Sequence, residues 1–174
     1  MKKMKKEEFA LESFKNIQEL IRFIDQKSGA VLVIAGLAFT GYIEFVDELQ
    51  FVPIDEAGFL GVTCFLSGLC TVLCLIAVIW ISIFKVLKPR LAKNYSAGEH
   101  SLFYFEHLSK LGKASTLAEY GSLTDDKMLK QLIDQQFEIS QIMEKKTENL
   151  GLSFNFLFAS IIALVVFVLT SIVL

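Results

Sequence analysis

Three long stretches free of Asp, Glu, Lys and Arg constrain this chain more than anything else in it: residues 28–43, 57–84 and 150–174. A helix needs about 20 apolar residues to cross about 30 Å of hydrocarbon. The second and third stretches suffice alone, and the first suffices once Lys27 and Glu44 extend their charges toward the headgroups. Backbone groups in lipid must be satisfied within the segment, so each stretch is expected to be helical. With 53% hydrophobic residues over 174 positions, the chain is too apolar for an ordinary soluble domain of its size. The first stretch follows a long charged segment and precedes no small-residue cleavage site, so it is expected to stay in place as a span rather than act as a removable leader.

The expected organisation is therefore an N-terminal helix over 1–27, spans over 28–46, 57–84 and 150–174, a short connection over 47–56, and a polar helical region over 85–149. Lys and Arg set the orientation. Seven precede the first span, ten lie between the second and third, and none lies in the stretch from Glu44 to Glu56, which carries Glu44, Asp47, Glu48, Asp55 and Glu56. Positive charge retained inside puts the N-terminus and the long polar region in the cytoplasm and the C-terminus outside. Met1–Lys6 forms a basic stub suited to anionic headgroups.

Periodicity extends the first and third spans beyond the membrane. Ala10, Phe14, Ile17, Ile21, Ile24 and Ser28 follow alternating steps of four and three, the seam of a helix packed along another helix. No Gly or Pro intervenes before Gly29, so that helix is expected to run straight into the first span, where Gly29, Ala35, Gly36 and Ala38 offer a small-residue face. At the other end, Ser122-Leu123-Thr124-Asp125 is a helix start. Leu129, Leu132, Ile133 and Phe137 then give an apolar face, and nothing strongly breaks the pattern before Leu174. About fifty residues at 1.5 Å each make a helix of about 75 Å. The expected fold is an all-α integral membrane protein with three transmembrane helices, the first and third extended into a small cytosolic helical bundle.

The second span carries Cys64 and Gly68 as a small-xxx-small pair, Trp80 in an interfacial belt position, and Pro89 as a terminator after Lys85 and Lys88. Cys64, Cys70 and Cys74 have no His beside them, so packing is the expected role and a metal or redox site is not. Between the second and third spans, Asn94 to Gly98 reads as a turn. Two short helices follow, over 101–111 and 115–120, ended by Gly112 and Gly121. Tyr95, Phe103, Tyr104, Phe105 and Tyr120 make this region rich in rings, which can form a core or a stacking platform for a base.

Catalytic templates fail: there is no Gly-rich phosphate loop, nucleophile elbow or zinc spacing. His100 and His107, each preceded by Glu, would share a helical face, yet surface histidines are the simpler reading. What remains is positional. Asp25 and Lys27 at the start of the first span fall at the same depth as Lys145, Lys146 and Asn149 at the start of the third and Lys85, Lys88 and Arg90 at the end of the second. Cations so grouped can take a phosphate by charge-assisted hydrogen bonds. Alternatively they contact lipid headgroups while Asp25 bridges to Lys146.

Ile24-Asp25-Gln26-Lys27-Ser28-Gly29 resembles the "Asp-x-Lys-Ala" element that opens the first span of the Pycsar transmembrane effectors. Tyr104-Phe105 followed by His107-Leu108 resembles their "Tyr-Phe-Gly-x-Ile" element, with Glu106 where Gly is usual. Lys146 and Leu150 match a closing "Lys-x-x-x-Leu", and the likeness runs from about residue 17 to 167. The resemblance implies an effector in the bacterial inner membrane, not an enzyme, that responds to cyclic UMP or cyclic CMP from a co-encoded cyclase. It would then impair membrane integrity and abort infection. With that function, the ligand site expected from the residues' placement comprises Asp25, Lys27, Tyr104, Phe105 and Lys146, with no cofactor, no nucleic-acid partner, and a homo-oligomer in the lipid bilayer. A constitutive membrane scaffold that recruits a protein partner through its heptad seams is the alternative.

Overall fold

The computed structural model describes residues 5–49, 58–89, 101–102 and 105–174, with the side chains of 105 and 106 excepted. The expectations for the N-terminal stub, Pro53, Arg90, the turn at 94–98, Tyr95, His100, Phe103, Tyr104 and the Phe105 ring lie outside the described residues. Five helices occur: α1 (Lys6–Asp47), α2 (Gly58–Ile81), α3 (Phe105–Leu111), α4 (Lys113–Gly121) and α5 (Asp125–Val173). A six-residue π-turn, Ser82–Leu87, follows α2. Among the described residues there is no strand, and α1, α2 with its π-turn, and α5 are each long and apolar enough to cross a membrane. The uninterrupted lengths of α1 and α5, 42 and 49 residues, agree with the absence of breakers in their sequences.

The chain divides into two compact units. The first comprises Met1–Phe23 and Pro89–Lys145. Its core joins Ala10 and Phe14 of α1 to Leu132 and Ile139 of α5, with Ile17, Ile21 and Leu129 packed around them. Gln136 Nε2 donates to Ser13 Oγ at 2.6 Å across this seam. The apolar face expected from Leu129, Leu132, Ile133 and Phe137 is corrected in part. Ile133 and Phe137 are exposed, whereas Gln135 and Glu138 are buried. A seam that advances by sevens through Leu132 and Ile139 carries positions 135 and 138 inward and rotates 133 and 137 away from it.

The second unit comprises Ile24–Lys88 and Lys146–Leu174. Here α1 and α5 run parallel and α2 antiparallel, as their contacts show. Tyr42 packs against Phe167 with ring centroids 5.2 Å apart and the planes tilted by 43°, and Phe45 meets the same ring edge-on at 5.9 Å. Gly68 of α2 lies against both Tyr42 and Phe167, so close that a Cβ there would stand 2.9 Å from the Tyr42 hydroxyl and 3.0 Å from the ring. Cys64 Sγ meets Ser171 Oγ at 3.2 Å, and Ser82 Oγ meets Ser153 Oγ at 3.4 Å. The small residue that matters for close approach is thus Gly68. Gly29 and Gly36, expected to serve that purpose, have open space where a Cβ would go, and of that group Ala35 is the fully buried residue.

Along α2 and into the π-turn the buried positions are Cys64, Gly68, Thr71, Leu75, Val78, Ile81 and Ser82, and all but Ile81 follow alternating steps of four and three. The next step of three would place Lys85 in the seam. The π-turn intervenes, its closing bond running from Lys88 N–H to Ile83 C=O at 2.9 Å. One extra residue is absorbed, Val86 becomes fully buried, and Lys85 stays exposed.

Candidate functional site

The seam of α5 repeats every seven residues through Leu132, Ile139, Lys146, Ser153, Ser160 and Phe167, and none of these six is more than 7% exposed. Lys146 is therefore a seam residue by register, not a lysine that drifts along a helix surface. Its ammonium meets Asp25 Oδ1 at 2.5 Å, and the two side chains are 7% and 35% exposed. Asp25 follows the seam residue Ile24, on the flank of α1 that faces α5, so its carboxylate reaches the lysine while keeping part of its surface outward. An ammonium held this far from solvent is tolerated because a carboxylate compensates it directly.

Of the five residues assigned to a ligand site, the structure brings Asp25 and Lys146 together. Lys27 lies two residues beyond Asp25, about 200° around the helix, and is exposed. Tyr104 and the Phe105 side chain lie outside the described residues. The cations at the end of α2, Lys85 and Lys88, are exposed as well. At the opposite end of α1, Tyr42, Ile43, Val46, Asp47 and Leu49 line an open depression of about 370 Å³. Among the described residues its lining comes from one stretch of chain and includes an acidic residue, which does not favour an anion.

Outward from the Asp25–Lys146 pair lies a feature that composition did not reveal. Tyr42, Gly68 and Phe167 mark one layer of the three-helix unit. Two heptads toward the charged end, the same positions are Ser28, Ser82 and Ser153, all at 0% exposure. The Ser82–Ser153 contact fixes this register directly. The signal was present in the sevenfold spacing Lys146, Ser153, Ser160, but serine in a span also satisfies ordinary helix packing and so escaped notice.

In the first unit, His107 Nδ1 accepts the Ser101 N–H at 3.0 Å, and Gln131 Oε1 accepts the Leu102 N–H at 3.2 Å. Both side chains tie down the segment ahead of α3, and Ser101 and Leu102 are buried. The His107 ring is thereby occupied at one nitrogen with a structural bond.

Neither the curated proteins nor the solved structures provide a match to this chain. A family model does: that of the Pycsar effector protein domain aligns with residues 9–173, which takes in nearly all of α1 and the whole of α2 and α5. With that span matched, the chain belongs to the Pycsar effector family.

Proposed function

We propose that this protein is the membrane effector of a cyclic-pyrimidine-nucleotide antiphage system, one that lies in the bacterial inner membrane and, on binding cyclic UMP or cyclic CMP, impairs the membrane and halts the infected cell. Family membership supports a role in the Pycsar antiphage system. Three helices long and apolar enough to span a bilayer support the location. The reading assigns the chain no bond-making chemistry, and the signal arrives from a separate cyclase.

The observation that carries the mechanism is the sheltered Asp25–Lys146 pair at the polar end of the spans. A cyclic nucleotide brings a monoanionic phosphate, which competes with Asp25 for the Lys146 ammonium by a charge-assisted hydrogen bond. Because Lys146 is almost fully covered, the phosphate reaches it only when α1 and α5 part at that level. Binding and rearrangement are then the same event, and the ligand favours the opened form. Lys27 supplies a second cation on the exposed surface, and Tyr104 and Phe105 supply rings for the base. Moving the equilibrium from 1:99 to 99:1 takes about 5.5 kcal/mol of differential affinity, which several protomers of a homo-oligomer switching together would share.

The test is leakage from dye-loaded liposomes bearing the purified full chain, challenged in parallel with cyclic UMP, cyclic CMP, cyclic AMP and cyclic dinucleotides. Release is expected with a cyclic pyrimidine nucleotide and not with the others. Silence with all of them, together with a stable protein partner recovered in detergent, would replace this reading with that of a scaffold.

A further inference from the structure

The three serines of the buried layer differ from the other hydroxyl residues of the spans. Thr40, Thr63, Ser67, Thr71, Ser160, Thr170 and Ser171 each donate to a carbonyl three or four residues back on their own helix, at 2.7–3.1 Å. That is the usual way a hydroxyl is satisfied inside a membrane helix. Ser28, Ser82 and Ser153 do not take it. Ser82 Oγ donates across to Ser153 Oγ at 3.4 Å, beyond the usual 2.5–3.0 Å for a hydroxyl pair. Ser28 Oγ is wholly buried and meets no protein partner. One weak bond thus serves three donors and three acceptors in a setting where leaving a buried hydroxyl unsatisfied is destabilising.

The layer is also short of atoms. On one side the register places Val31, Val78 and Leu157, and on the other Ile24, Val86 and Leu150, all buried. Three serines carry fewer side-chain heavy atoms than either apolar set, although the helices pass through all three layers in sequence. We infer that the Ser28–Ser82–Ser153 layer is a binding site for a single water molecule, which accepts from Ser28 and Ser153, donates to Ser82 and so joins all three spans at one polar point. Water fits the chemistry better than a cation, since no carboxylate belongs to the layer. It also suits a sealed layer better than a larger ligand would, with apolar side chains above and below. Such a water completes groups that the chain itself leaves open.

Two measurements on the full chain test the site. The first is thermal unfolding in lipid nanodiscs of Ser28→Ala, Ser82→Ala, Ser153→Ala and the triple variant. If the layer is dry, Ser28→Ala removes a penalty and Tm stays level or rises. If it is hydrated, Tm falls by about 2–4 °C for a lost bond in a chain of this size, and the triple variant loses less than the three singles added together. An unchanged or higher Tm for Ser28→Ala, or strict additivity, overturns the proposal. The second is water-edited solid-state NMR of the unmodified protein, which does not depend on variants folding. Transfer from water to Ser28 and Ser153 is expected to exceed that to Ala35, itself fully buried one heptad away, and equal transfer to all three overturns the site.

Discussion

The Asp25–Lys146 pair makes an asymmetric demand on stability that can be worked from its geometry. Lys146 is 7% exposed and Asp25 is 35% exposed. Replacing Asp25 by Ala leaves a covered ammonium with no counter-charge, the case in which a broken buried pair costs about 3–5 kcal/mol. Lysine can bend its stem toward the headgroups, which argues for the lower end, about 3 kcal/mol. Replacing Lys146 by Met keeps a long apolar side chain in the seam and leaves a carboxylate one-third in solvent, which rehydrates at a cost of about 1 kcal/mol. The double variant removes both charges and should lie close to the parent. The cycle therefore carries a coupling of about 4 kcal/mol, read as reversible unfolding of the full chain in mixed micelles titrated with a denaturing detergent. Additive single effects, or a Lys146→Met variant weaker than Asp25→Ala, would refute the claim that Lys146 is the sheltered member.

Three further outcomes follow from named contacts. Gly68→Ala puts a methyl 2.9–3.0 Å from the Tyr42 hydroxyl and the Phe167 ring and should cost about 1–3 kcal/mol, while Gly29→Ala, with open space around it, should be neutral or gain up to about 1 kcal/mol in the same unfolding assay. Leu132→Ala opens a cavity against Ala10, Phe14 and Ile139 and should cost about 2–5 kcal/mol, seen as faster proteolysis of the first unit. Deleting Lys85 removes the residue that the π-turn absorbs and leaves Val86 three positions after Ser82, so the chain should fold with an unbroken helix there. Loss of folded protein by size-exclusion chromatography would refute the register argument.

The three long apolar helices and the unbroken course of α1 and α5 could be read from the sequence because charge-free length and the lack of breakers are local properties. The pairing of Asp25 with Lys146 was legible as one of two alternatives, since both residues open spans that begin at the same depth. Less visible was which face turns inward. Ile133 and Phe137 drew the expected face of α5 toward themselves because they are apolar, yet the seam obeys the sevenfold register and buries Gln135 and Glu138 instead. Gly29 and Gly36, read as small packing residues, have open space beside them, while Gly68 of the small-xxx-small pair in the second stretch is the glycine at the three-helix contact. Side-chain chemistry suggests candidates for a buried face, and the helical repeat chooses among them.

The π-turn at Ser82–Leu87 shows the two criteria in direct conflict. A strict repeat would seat Lys85 between Ile24 and Leu150, where the neighbouring Asp25 carboxylate is already paired with Lys146 and a second buried cation would have to be neutralised or expelled. The helix inserts a residue, Val86 fills the seat, and the lysine remains outside. What looked from sequence like one cluster of equivalent cations is thereby divided. Lys27, Lys85 and Lys88 stay on the surface, and Lys146 is the buried cation among the described residues. Under the proposed function these groups act in order. The exposed lysines raise the local concentration of an incoming phosphate, while the covered one responds only when α1 and α5 separate. Discrimination between resting and signalled states then rests on a single ion pair, which is why its two members, unequal in exposure, should fail unequally.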